Sequence, residues 1–445
     1  MSERQLHLGV NLVMSGFYGS AWRLEDADPF AFADAGHYVR LAQIAEKGKF
    51  DAVFFADFPA LFGNLNYAPA GALDPIVVLS IVSAATTHIG LISTASTTYN
   101  YPYNLARQFA SLDLASKGRA AWNIVTTGNP AASRNFGLDN VVPHRDRYLR
   151  ASEFVDVVKA LWDSWEDGVL IGDKKSGRFA DPSRIHPINH AGPAFSVAGP
   201  LQVPRSPQGQ PVLVQAGGSD DGRELAARHA EAIFSVAQTV EEGAAFARDV
   251  RARARRFGRR PEEIVILPGL VTVIGSTDEE ARRIESELWD ALPEDYILGR
   301  LAGGLQIDRD RLKLDEPLPE DLPLPADGIQ SFFVSATGFA RANRLTVRQL
   351  SRRLGGSFGH RLLVGTPELI ADSIEEWFRA GAADGFNLLP GALPSGLEAF
   401  VEGVVPELQR RGLFRTEYEG STLREHFGLP RPLSRFASET MGLRA

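Results

Sequence analysis

The chain has 445 residues, a net charge of −8, 44% hydrophobic and 23% charged side chains, and no cysteine. This length can bury a large core. The charge disfavours a nucleic-acid or anionic-membrane surface. The missing thiols exclude disulfides, thiolate metal sites and cysteine nucleophiles, which fits a reducing cytoplasm. No apolar run reaches the roughly 20 residues of a membrane span, and the run after Met1-Ser2-Glu3-Arg4-Gln5 is too short for a signal peptide.

In chain order, apolar runs alternate with stretches of helical period. Leu6 to Val13 reads as a first strand, followed by the loop Ser15-Gly16-Phe17-Tyr18-Gly19 and a helix from Gly36 to Lys47, with Tyr38, Leu41, Ala42 and Ala45 on one side. Ala52 to Ala56 is a second strand, closed by Asp57. Asp74-Pro75 caps and starts a helix through Thr86. Ile89 to Ser96 is a third strand, ending among hydroxyls, and Tyr103 to Ser116 a helix. Ala120 to Val125 is a fourth strand that turns abruptly polar at Thr126-Thr127-Gly128, and Arg145 to Trp165 a long helix.

The rhythm breaks at Asp167 to Gln210 and resumes with a fifth strand, Pro211 to Gly218. Ser219 caps a helix through Ala230. A sixth strand covers Ala232 to Ala237, a seventh Ile264 to Ile274, and an eighth Phe386 to Leu389. Helices are expected over Val240 to Phe257, Thr277 to Leu292, Thr366-Pro367 to Arg379, and Gly396 to Arg411. A second excursion, Pro293 to Gly365, holds a helical part near Thr346 to Leu354. The tail from Phe414 is loop-rich and packs on a neighbour or on the barrel. Eight apolar strands alternating with helices predict a closed α/β TIM barrel, (β/α)8, with insertions after helix 4 and strand 7. The whole of 1–445 is then a single domain, with excursions at about 167–210 and 293–365.

Barrel enzymes place their chemistry at the C-terminal ends of the strands. Here those ends carry Asp57, Thr94, Asn123 (if the pleat turns it inward), Thr126, Thr127, Gly217, Gly218 and Ser219, with His144 and Tyr148 in the region after strand 4. Two carboxylates of the glycosidase kind are missing, and so is a His/Asp/Glu set suited to a metal. Gly217-Gly218-Ser219 opening a helix is either an anion site or an N-cap after a tight turn. His144 and Tyr148, one turn apart, are either donors to a ligand or a capping histidine and a half-buried tyrosine. Asp57 either accepts from a heterocycle N–H or caps its loop. His186 and His190 have metal-like spacing, but Pro187 argues against a helix between them. Gly299 to Gly304 lacks the preceding strand of a nucleotide loop.

The block Tyr99 to Gly137 contains Pro102-Tyr103, Leu105-Ala106-Arg107, Phe109-Ala110-Ser111-Leu112-Asp113, Gly118-Arg119, Trp122-Asn123-Ile124-Val125-Thr126 and Asn135-Phe136-Gly137. It closely resembles the nitrilotriacetate / dibenzothiophene-sulfone monooxygenase family of bacterial-luciferase-like flavin monooxygenases. The likeness extends over nearly the whole chain, through Gly199 to Gly209, Gln215-Ala216-Gly217, Ala382 to Phe386 and Val405 to Gln409.

The resemblance implies FMN, bound as FMNH2 from a separate NAD(P)H-dependent flavin reductase, and molecular oxygen, which forms a peroxide with the flavin. It places flavin contacts at Asp57, Thr94, Thr127, His144, Tyr148 and Ser219. Ser219, the amides after Gly218, Tyr148 and His144 would hold the phosphate; Asp57, Thr94 and Thr127 would line the isoalloxazine. His144 and Asn123 are candidates near the reacting atoms. The expected reaction is cleavage of a C–N, C–S or C–halogen bond, or ring oxidation, in a small apolar or heteroaromatic molecule held by Phe17, Tyr18, Leu61 and Phe62. The second excursion would form a lid, hinged at Gly303-Gly304 and Gly355-Gly356. A deazaflavin-dependent hydride-transfer enzyme and a non-catalytic flavin-binding protein are the alternatives. A cytoplasmic homodimer or tetramer is expected.

Overall fold

Eight parallel strands pair in chain order and close on themselves. They are β1 (His7–Asn11), β2 (Ala52–Phe55), β3 (Gly90–Ser96), β4 (Ala120–Val125), β5 (Val212–Ala216), β6 (Ala232–Ser235), β7 (Val265–Ile274) and β8 (Gly385–Pro390). Ladders β7–β8 and β8–β1 complete the ring. The computed structural model describes residues 4–61, 63–325, 330–354 and 359–436; Phe62 and Gly355-Gly356 lie outside them. Among the described residues no helix is long and apolar enough to cross a membrane.

The pleat divides the side chains of each strand. Ala52, Phe54, Ile92, Ala121, Val212, Val214, Ala232, Val265 and Leu267 pack together inside the barrel. The alternating Val53, Phe55 and Leu91 pack outward against helices α1 (Ala35–Lys47) and α2 (Pro75–Ala85). Asp34 and Asp74 start these helices, each accepting two backbone N–H groups. Helices α3 (Pro102–Ala115) and α4 (His144–Trp162) sandwich Trp122 of β4. Helices α5 (Asp220–His229), α6 (Val240–Arg256) and α7 (Asp278–Asp290) continue the outer ring.

The tail packs on the barrel. Leu423, Phe427 and Leu429 join the interior cluster, and a Cβ on Gly90, at the start of β3, would sit 2.4 Å from Leu423. The tail therefore closes the N-terminal end. The fully buried Asp51 fastens it there, accepting from Arg415 at 2.5 Å and from the Leu8 amide at 2.7 Å.

Residues 167–210 contain two short hairpins, Leu170–Asp173 with Arg178–Ala180 and His190–Ala191 with Ser196–Val197. The second excursion contains α8 (Glu294–Leu305), α9 (Gln330–Ala342) and α10 (Val347–Arg353), which build a second core with Tyr18 and the tops of β7 and β8. The excursion also hides a strand, Arg361–Gly365, paired with Leu270 to Ile274 of β7 beyond the level at which β6 stops. Two expectations change in this region. Gly303 and Gly304 lie inside α8, and a Cβ on Gly304 would meet Phe332 at 2.6 Å, so close packing sets that residue. The last expected helix widens into a π turn at Phe400–Val404 before Pro406, whose ring nitrogen cannot continue an α ladder.

Candidate functional site at the C-terminal rim

Trp122 and Ile124 point outward into the helix cluster, so Asn123 between them turns into the barrel. Its register partner is Thr94. Asn123 Nδ2 donates to Thr94 Oγ1 at 2.9 Å, and both residues are buried. Among the described residues Asn123 Oδ1 has no hydrogen-bond partner, and neither does Oδ1 of the buried Asn11 on β1. Buried polar atoms left this way are costly unless a ligand completes them. The barrel mouth thus presents neutral acceptors and a hydroxyl.

Beside it, the first turns of α4 and α5 come together. Ser219 caps α5, its Oγ accepting from the Gly222 amide at 3.1 Å, and lies 3.5 Å from the Tyr148 hydroxyl. His144 opens α4, which has no side-chain cap of its own, so its leading amides are open to a ligand. His144 Nδ1 is 3.0 Å from Asp221 Oδ2, and its ring lies 4.7 Å from that of Tyr148. Asp220 is drawn the other way by Arg253 at 2.6 Å. Both acidic side chains after Ser219 are therefore engaged, and His144, Tyr148, Gly218 and Ser219 share one cradle at two helix N-termini. Such termini attract anions. Ser219 is both an N-cap and a member of this cradle. A Cβ on Gly217 would meet Gln215 Nε2 at 2.4 Å, so the Gln215 amide packs closely under this turn.

Asp57 stands just past β2, two residues above the Phe55–Ser93 level. Its carboxyl is reached by solvent but walled by protein. That partial desolvation, with the Asp74 carboxylate nearby, lifts its pKa above the usual range. Thr127 is half-buried in the loop after β4. The expected pocket residues are dispersed. Phe17 packs at the margin of the second core. Tyr18 is 1% exposed, inside that core, with its hydroxyl 3.5 Å from Glu285. Leu61 is 67% exposed. A surface groove of about 520 Å3 between Tyr101–Tyr103 and Ala194–Pro200 is lined by none of these residues.

His186 pairs with Glu166 and His190 with Glu153, and no cluster of three metal-ligating side chains occurs among the described residues. Two residues of the rim escaped the sequence reading. His360 stacks on Phe234 at 4.8 Å, its pKa pushed down to about 4 by burial, so it is neutral near pH 7. Its signal is Gly269 in the middle of a strand, where glycine marks a close approach: a Cβ there would lie 2.2 Å from His360 Nδ1. The other is Arg147, buried on α4 between His144 and Tyr148.

The luciferase-like monooxygenase family model matches residues 19–384. The chain is 46% identical to nitrilotriacetate monooxygenase component A of Aminobacter aminovorans over 444 residues, covering 97% of this chain and 98% of that protein. The structure of EDTA monooxygenase from Chelativorans sp. BNC1 superposes with a TM-score of 0.80 at 40% identity, covering 96% of this chain and 99% of the other. A riboflavin lyase solved with modified FMN and riboflavin gives a TM-score of 0.85 at 34% identity over 99% of this chain and 100% of the other. A coenzyme F420-dependent secondary alcohol dehydrogenase shares the fold alone, at 16% identity and a TM-score of 0.59.

Proposed function

Because this chain belongs to the luciferase-like monooxygenase family, and is an enzyme of that family, we propose that it binds FMN in reduced form and uses molecular oxygen to oxidise a small organic molecule. The observation that carries the reading is the cradle at the N-termini of α4 and α5, with Ser219 and Tyr148 3.5 Å apart and both neighbouring aspartates held by other side chains. It fits a phosphate monoester. The unsatisfied amide oxygens of Asn123 and Asn11 in the barrel mouth fit the donor groups of a heterocycle next to it.

Ser219, Tyr148, His144 and the amides after Gly218 would hold the phosphate; Asp57, Thr94 and Thr127 would line the ring system. Bound reduced flavin would supply the electrons that activate oxygen. The chain's own residues would orient that group and exclude water from it. Asn123, fixed by its bond to Thr94, would present its free carbonyl oxygen to the ligand, and His144 would keep the Asp221 charge away from the phosphate. The lid core of α8 to α10 over β7 and β8 would shield one side of the mouth.

We assign the reaction to oxidative cleavage at a carbon–heteroatom bond or ring oxidation, in one domain of a cytoplasmic homo-oligomer. A relative's name, component A, supports a separate NAD(P)H-dependent flavin reductase as the source of FMNH2. The deazaflavin alternative rests on a likeness of fold alone.

The test is titration of the apoprotein with anaerobically reduced and with oxidised FMN, repeated on Ser219→Ala. The reduced form is expected to bind more tightly, and the variant to bind it about tenfold more weakly through loss of one phosphate hydrogen bond. Binding of neither form would sink the reading.

A further inference from the structure

Among the described residues, the buried arginines show which cation goes uncompensated. Arg415 pairs with Asp51 at 2.5 Å and Arg424 with Glu231 at 2.5 Å. Arg205 pairs with Asp167 at 2.6 Å. Arg119 has no carboxylate but donates to the carbonyls of Ser83, Thr86, Ile89 and Ser116 and to the Thr86 hydroxyl. Each of these charges is compensated, as burial requires.

Arg147 is not. It is 4% exposed. Among the described residues its guanidinium donates one hydrogen bond, from Nη1 to the Val142 carbonyl, and its Nε has no partner. No carboxylate lies within ion-pair distance of it among those residues. The loop after β4 is shaped around it: a Cβ on Gly128 would sit 2.5 Å from the guanidinium carbon and from Nη2. Gly128 follows Thr127, and on α4 Arg147 lies between His144 and Tyr148, on the face one turn from the helix start. The acidic side chains closest to the cradle, Asp220 and Asp221, are held by Arg253 and His144.

We propose that Arg147 supplies the buried positive charge of the cradle, opposite the phosphate of the flavin nucleotide. This rests on the flavin reading above. Ser219, Tyr148 and the helix amides are neutral donors, and a phosphate dianion taken from water needs a cation as well. Burying that cation without a protein anion keeps its charge for the ligand. Apoprotein is then selective for FMN over riboflavin, which has the same ring system and no phosphate.

The experiment compares FMN and riboflavin affinities, by fluorescence titration at low and high salt, for wild type, Arg147→Met and Arg147→Lys. The methionine variant is expected to lose about tenfold or more in FMN affinity, to keep riboflavin affinity within about twofold, and to show a flatter salt dependence. Lysine should restore part of the FMN affinity, since it keeps the charge and loses the fork. Unchanged FMN affinity in the methionine variant overturns the proposal. So does an equal fall for both ligands, which would make Arg147 a prop for the Val142 and Gly128 loops. If the methionine variant does not fold, wild type decides: a preference for FMN over riboflavin below about tenfold refutes a buried phosphate cation. Wild type that binds neither ligand overturns the flavin reading itself.

Discussion

Replacing Gly269 by alanine drives a methyl group into the imidazole of His360. The added carbon would lie 2.2 Å from Nδ1, 2.7 Å from Cε1 and 2.8 Å from Cγ. Contact at about 3.5 Å requires the ring to retreat by roughly 1.3 Å. The ring has little room: Phe234 stacks on it at 4.8 Å, and Gln238 Nε2 holds the adjacent Gly359 carbonyl. Overpacking of this size costs about 1–3 kcal/mol. His360→Ala, which removes the stacked ring, is also expected to destabilise, by a similar amount. The double variant relieves the clash, because the alanine methyl then occupies part of the space the imidazole left. Urea unfolding of the four proteins is expected to give a coupling of about 1–3 kcal/mol, with the double variant more stable than the sum of the singles predicts. Gly269→Ala with unchanged stability, or strictly additive effects, would refute the placement of His360 in the barrel.

His144→Ala should remove one phosphate donor and leave the Asp221 carboxylate free to repel an anion, weakening FMN binding by more than about tenfold; adding Asp221→Asn should recover part of that loss, and a double variant as weak as the single would show that His144 does not act through Asp221. Asp113, buried between α3 and β4, accepts from the Ala120 amide and Gln208, yet burial pushes its pKa up from 3.8 to about 6. A carboxyl with a raised folded-state pKa favours the fold at low pH, and that contribution is lost as pH rises from about 4 to about 6, amounting to about 3 kcal/mol. Asp113→Asn should therefore gain stability relative to wild type across that window, measured as the difference in urea midpoints with pH; a constant difference would contradict this.

Local pattern made the barrel strands and most of the helices around them legible. A short continuous apolar run marks a strand buried on both faces, and Asp34, Asp74, Ser219 and Thr366 announce helix starts by satisfying amides within a few residues. The strand Arg361–Gly365 is hidden because it is a ninth strand outside the ring of eight, paired with β7 only beyond the level where β6 ends. The short helix Pro130–Asn135, capped by Asn129, is too brief for a hydrophobic period to mark it.

Sequence alone determined the order of the eight strands, and so which residues stand at their C-terminal ends, because hydrophobic period and caps are nearest-neighbour properties. It also left both readings of Ser219 open; the N-cap is formed, and the anion site is our proposal. Only the tertiary structure decided which charges are compensated. Arg415 meets Asp51 across 364 positions of chain, Asp221 meets His144, and Arg147 meets no carboxylate among the described residues. Tyr18, aromatic in a rim loop, is buried in the second core beside α8 to α10. Electrostatic partnership depends on distances of a few ångströms between residues far apart in the chain. Those distances are set by closure of the barrel, and no local pattern carries them.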